Sequence, residues 1–108
     1  MALQHSKSIE IYGDYVDDFK ISPFESVYML HLRGGLEKAI NELTNDEKIK
    51  LIHYDLKLIE NAKRMSKHLS VIYDFSTSNE PLKEWWWHLD QVADGKISFE
   101  LKAEVKDG

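Results

Sequence analysis

Residues 44–73 read TNDEKIKLIHYDLKLIENAKRMSKHLSVIY, and the spacing of their apolar residues decides the fold class. Thr44 is suited to cap a helix, and Glu47, three residues on, to bond back to the cap's own N–H. Leu51, Leu58, Ala62, Met65, Leu69 and Ile72 then share one stripe at helical spacing. Ile49, Ile52, Leu56 and Ile59 form a second stripe centred about 140° away round the same helix. The spacing predicts one helix over 45–73 whose first half is apolar on two sides. Such a helix belongs at the centre of a bundle. Asp46–Lys50 and Glu60–Arg64 fall at i,i+4 on its wet side, worth roughly 0.2–0.5 kcal/mol each.

Upstream, Ser22-Pro23-Phe24-Glu25 is a helix start, with a capping serine, a proline at the first helical position and a glutamate three residues after the cap. Phe24, Tyr28, Leu32, Leu36, Ala39 and Leu43 recur every three or four positions, which predicts a helix over 23–43. Gly34-Gly35 inside it predicts either a kink or a close crossing with another element. Downstream, Ser76–Pro81 is a loop. Leu82, Trp85, Trp86, Leu89, Val92 and Ala93 then predict a third helix over 80–94, closed by Gly95 in a left-handed cap. The ends follow a different period. Ile97, Phe99, Leu101, Ala103 and Val105 alternate with polar residues, and Ser8–Tyr12 does so more weakly. These segments either pair as a short two-stranded ribbon or drape over the helices. The expected fold is therefore mainly α, a small antiparallel three-helix bundle that allows such a ribbon from the terminal segments. It forms a single helical domain over 1–108, with an N-terminal segment 1–21, a helical core 22–95 and a C-terminal segment 96–108.

Composition narrows the function. With no cysteine, disulfides and thiolate chemistry are excluded, and a metal would have only histidine and carboxylate ligands. A net charge of −5 argues against a nucleic-acid backbone as partner. The N-terminus carries no apolar signal core, and no apolar run approaches the roughly 20 residues of a membrane span. The expected setting is cytoplasmic, without a membrane.

Trp85-Trp86-Trp87 is the most unusual motif. On an α-helix three consecutive side chains cover about 200°, so one buried stripe cannot hold all three. Trp85 and Trp86 lie with Leu82 and Leu89, whereas Trp87 falls among Lys83, Asp90, Gln91 and Asp94. That phase makes Trp87 and these four neighbours a candidate partner-binding surface, since tryptophan is enriched at binding hot spots. A loop folded over Trp87 is the plain alternative. Tyr28, Trp86 and His88 are candidate lining for a small-molecule pocket. Lys57, Lys63, Arg64 and Lys67 lie within about a third of a helix circumference and form a candidate basic face for nucleic acid. Basic residues late in a helix also suit its dipole, which explains them without a ligand. His31 is expected to be partly buried near Phe24, Val27 and Tyr28. No two of the five histidines have metal-ligand spacing, and no nucleophile elbow, phosphate loop or dinucleotide fingerprint is present. No catalytic residue, metal ligand or cofactor is assigned. The expected function is a small non-enzymatic interaction module of the adaptor, regulator, antitoxin or immunity kind, docking a protein partner or a second copy of itself through Trp87. The alternatives are a small-molecule binder or modest enzyme using the pocket, and a nucleic-acid binder using the basic face.

Overall fold

The capping box forms as its spacing requires: Thr44 Oγ1 accepts from the Glu47 N–H at 3.1 Å, and Glu47 Oε1 accepts from the Thr44 N–H at 2.9 Å. This and the following observations come from a computed structural model, which describes residues 5–97. The described chain is mainly helical, with α1 (Ser6–Tyr15), α2 (Pro23–Lys38), α3 (Asn45–Glu60), α4 (Ala62–Leu69) and α5 (Leu89–Ala93). Short 3₁₀ turns lie at Ile40–Glu42, Phe75–Thr77 and Trp85–Trp87, and no strand occurs among the described residues. No helix of the described residues is long and apolar enough to cross a membrane.

The N-terminal segment differs from the expected ribbon strand. Ser8–Tyr12 belongs to α1, because the helical spacing reaches further than the alternation does. Ile9, Tyr12, Gly13 and Val16 fall at i, i+3, i+4 and i+7, and all four are buried. α1 packs against both α2 and α3. Its pairs with α3 advance together along both chains: Ser6 with Glu47, Glu10 with Tyr54, Tyr12 with Asp55. The two helices therefore run parallel. Lys50 adds an ion pair to Glu10. The alternating segment beyond Ile97 lies outside the described residues.

The long helix expected over 45–73 is divided at Asn61, which sits at φ −95°, ψ 9° between α3 and α4. The Asn61 amide donates to the Val16 carbonyl at the end of α1, at 3.3 Å. The Asn61 backbone keeps its helical bonds, donating to the Lys57 carbonyl at 3.0 Å and accepting from the Met65 N–H at 2.8 Å, so the break is local. The first apolar stripe survives the break, with Leu51, Leu58, Ala62, Met65 and Leu69 all buried. The second does not reach the core: Ile49 and Leu56 are exposed, and Ile52 and Ile59 half-buried.

α2 is turned relative to the expected stripe. It buries Ser26, Met29, Leu30, Arg33 and Leu36 and leaves Phe24 73% and Tyr28 48% exposed. It runs unbroken through Gly34-Gly35.

The third helix is the largest departure. Only Leu89–Ala93 is α-helical, Trp85–Trp87 is a 3₁₀ turn, and His88 (φ −136°, ψ 43°) interrupts them. The Glu84 N–H bonds the Pro81 carbonyl, while the Glu80 carbonyl is held by His88 Nε2 at 2.7 Å. That side-chain bond takes the acceptor which a continuing α-helix needs. Gly95 adopts the expected left-handed conformation, φ 73°.

Two glycines sit in opposite surroundings. Gly13 lies against the Tyr54 ring, so that a Cβ there would collide with it, whereas a Cβ on Gly35 would meet nothing. Gly13→Ala should therefore destabilise by about 1–3 kcal/mol, as overpacking does. Gly35→Ala should stabilise by up to about 1 kcal/mol, the helix-propensity difference. Denaturant unfolding checks both, and the Gly13→Ala loss should largely vanish in a Tyr54→Ala background.

Candidate functional site

The site is built on one buried cation. Arg33 is 5% exposed, and its guanidinium grips Asp55 with two bonds, Nε to Oδ1 at 2.9 Å and Nη2 to Oδ2 at 3.0 Å. Its Nη1 donates to Glu37 at 3.0 Å, one helical turn on. The Tyr12 hydroxyl donates to Asp55 Oδ1 at 2.6 Å, so Asp55 carries three bonds. Burial works hardest against the Arg33 charge, but Asp55, Tyr12 and Glu37 together outweigh it and raise the guanidinium's pKa further. Burial also pushes the Asp55 carboxyl above its usual range, with Arg33 and Tyr12 pulling it back. The Tyr12 hydroxyl is pushed well up by its own burial and by the Asp55 charge, which keeps it a donor.

The same guanidinium lies 4.5 Å over the Trp86 ring. Trp86 is 1% exposed, and its indole N–H has no partner. That nitrogen lies 3.8 Å from where a side chain on Gly34 would begin. With Trp86 turned inward, the 3₁₀ geometry splays its neighbours about 120° to either side, and Trp85 and Trp87 are half-buried.

Trp87 closes one side of a cleft of about 550 Å³. The α2 wall presents Val27, Leu30, His31 and the Gly34-Gly35 pair, with Glu37 and Lys38 at its end. The facing wall carries Tyr73, Glu80, Glu84 and Trp87. Trp87 meets the His31 ring edge to face at 5.2 Å and the Tyr73 ring at 5.4 Å. Tyr73 is fixed in turn by its hydroxyl, which donates to Ser78 Oγ at 2.9 Å, and by Phe75 at 4.8 Å. His31 is exposed, not partly buried as expected, because α2 turns it outward onto Trp87.

No family model matches the chain, and no curated protein or solved structure is significantly similar to it.

The residues singled out from the sequence are distributed unevenly round this geometry. Trp87 is in the cleft. Lys83 and Asp94 are exposed and Asp90 and Gln91 half-buried, and the break at His88 removes the helical register that would gather them round Trp87. Neither Trp86 nor His88 lines the depression to which Tyr28 belongs. Tyr28 lines a neighbouring depression with His31 and Gly35, whereas Trp86 lies behind the cleft at Gly34. His88 is 3% exposed, and its ring is spent on tying the loop to Glu80, with Nδ1 unpartnered. On the basic face, Lys57 approaches Asp17 at 4.0 Å and the Arg64 guanidinium stacks on Phe19 at 4.0 Å. Lys63 and Lys67 are exposed. Among the described residues no three histidine or carboxylate side chains converge as a metal site requires.

The buried network and the facing wall were not visible in the sequence. Arg33–Glu37 shows as an i,i+4 pair, but Tyr12, Arg33 and Asp55 stand about 20 residues apart, and Tyr73, Glu80 and Glu84 about 40 or more from His31. Nothing in local spacing joins them.

Removing the cation alone should be severe. Arg33→Met leaves the Asp55 carboxylate buried without a counter-charge and should cost about 3–5 kcal/mol. Replacing the whole network (Tyr12→Phe, Arg33→Met, Asp55→Leu) should recover most of that loss. The single variant should also regain stability as pH falls from neutral towards the carboxylate range. Its folded state holds the Asp55 proton more tightly than the unfolded chain does, so proton uptake favours folding. Urea unfolding of the three proteins across pH measures both effects.

Proposed function

We propose that this chain is a small non-enzymatic interaction module, of the adaptor, regulator, antitoxin or immunity kind, that docks a partner chain at the cleft beside Trp87. The observation that carries the reading is a continuous aromatic strip. Trp87 touches His31, His31 and Tyr28 border one depression, and Phe24 lies one helical turn before Tyr28 on the exposed side of α2. Monomeric proteins rarely leave large apolar groups contiguous on the surface without a partner for them. The strip is longer than one small ligand needs, which favours a macromolecule. The lining of the cleft supports docking in preference to catalysis. It offers no serine, threonine or cysteine nucleophile, and its Glu37 carboxylate is engaged by Arg33. A second copy of the chain is the simplest partner.

Site-specific photo-crosslinking tests this in the cells that make the protein. A benzophenone amino acid at Phe24 should give a discrete adduct, and one at Lys63 on α4 should not. The adduct mass separates self-association, at twice 12.6 kDa, from another partner. Placed at Tyr28, the crosslinker should lose that adduct in a Trp87→Ala or Phe24→Ser background. Phe24 is mostly exposed, so Phe24→Ser should leave the melting temperature nearly unchanged. Equal adducts from Phe24 and Lys63, or none from Phe24, would sink the docking surface.

A further inference from the structure

The exposed side of α2 is complementary to itself, and the inference that follows rests on that side being a docking surface. Phe24, Tyr28, His31, Gly35 and Lys38 recur at alternating spacings of four and three residues, the seam by which one helix packs along another. Size varies along the seam. Tyr28 is 48% exposed, so much of its ring meets water. Two helical turns on, Gly35 is exposed, and a Cβ there would meet nothing within 4 Å. Gly35 lines a depression of about 310 Å³ with His31, Leu32 and Leu36, which is room for another aromatic ring. Trp87 supports His31 from the flank. Charge varies along the seam as well. Glu25 lies at one end and Lys38 at the other, and among the described residues neither forms an ion pair.

These features are placed symmetrically. Tyr28 and Gly35 are equidistant from the point between His31 and Leu32, and so are Glu25 and Lys38, and Phe24 and Ala39. A second α2 laid antiparallel across that point sets each Tyr28 over the other copy's Gly35. The same register brings each Glu25 beside the other copy's Lys38. The fit of size and the fit of charge are independent, yet they select one register. A parallel second copy would instead oppose Glu25 to Glu25 and Lys38 to Lys38. The available area agrees. Aromatic side chains bury about 150–250 Å² each. Covering Phe24, Tyr28 and their neighbours on two copies therefore approaches the roughly 1,000 Å² at which specific interfaces begin. An interface this small should dissociate in the micromolar range.

We infer that the chain forms a two-fold homodimer through antiparallel contact of α2 with α2, with Tyr28 of each copy seated over Gly35 of the other and Glu25 paired with Lys38. A contact of this symmetry uses the same patch on both copies, so assembly stops at two.

Sedimentation equilibrium of the purified full chain across micromolar concentrations reads the association, and thermal melting of the same samples reads the fold. The unaltered chain should shift from 12.6 kDa towards twice that mass as concentration rises. Gly35→Met should fill the hole and weaken the dimer at least about tenfold, as loss of a central contact does. It should not lower the melting temperature, because its side chain has open space and glycine is the poorer helix former. Glu25→Lys and Lys38→Glu should each weaken the dimer severalfold, and the two together should restore it. Both charges also suit the helix dipole, so the melt of each variant is read beside its mass. A dimer indifferent to Gly35→Met, or one that the double exchange fails to restore, would overturn the inference. So would a chain that stays monomeric at every concentration. If Phe24 then still gives a cellular adduct, at a mass other than twice the chain's, the docking surface stands with a different partner.

Discussion

Arg33 is the constraint from which the rest of the structure follows. A guanidinium at 5% exposure has to be neutralised and hydrogen-bonded, and Asp55 does both through a two-point grip. That pairing joins α2 to α3, and Tyr12 brings α1 to the same carboxylate. A buried ion pair of this kind adds little net stability over apolar packing, but it tolerates few alternatives. It sets rotation. On α2, Phe24 lies about 180° from Arg33, and Tyr28, His31 and Gly35 lie about 140–160° from it. Once Arg33 points inward, those four residues must point outward. The exposed aromatic strip is the reverse side of the buried charge.

The same cation organises the tryptophan segment. A guanidinium over an indole is favourable where water is scarce, and it gives Trp86 the inner place among the three. His88 then holds the loop from behind through the Glu80 carbonyl. This closure presents Trp87, Glu80 and Glu84 to α2. The cleft is thus a gap between a helix whose rotation is fixed by Arg33 and a loop whose middle residue rests on Arg33. The glycine pair lines the gap without adding a side chain to it.

Much of the helical framework could be read locally. The Thr44 capping box, the Ser22-Pro23 start, the buried stripe from Leu51 to Leu69 and the left-handed Gly95 all depend on residues within a few positions of one another. Their energetics are short-ranged, so the sequence carries them. α1 shows the limit of that method. Ser8–Tyr12 fits a two-residue period as well as a helical one, and only burial against α2 and α3 chooses between them. The tryptophans show it again. Their stripe was a sound helical pattern, overruled by a histidine that found a carbonyl eight residues back.

By itself the sequence determined that the described chain is mainly helical, where α2 and α3 begin, and that Trp85–Trp87 cannot all be buried together. Tertiary structure decided which side of α2 faces the core, which tryptophan is buried, and that Trp87 stands beside Tyr73 and opposite His31 in a cleft. The reason is the range of the forces. Capping bonds and helical periodicity act over three or four residues, whereas a buried charge must find its counter-ion wherever the fold brings one. Arg33 found Asp55 22 residues away, and that distant pairing turned the helix and made the site.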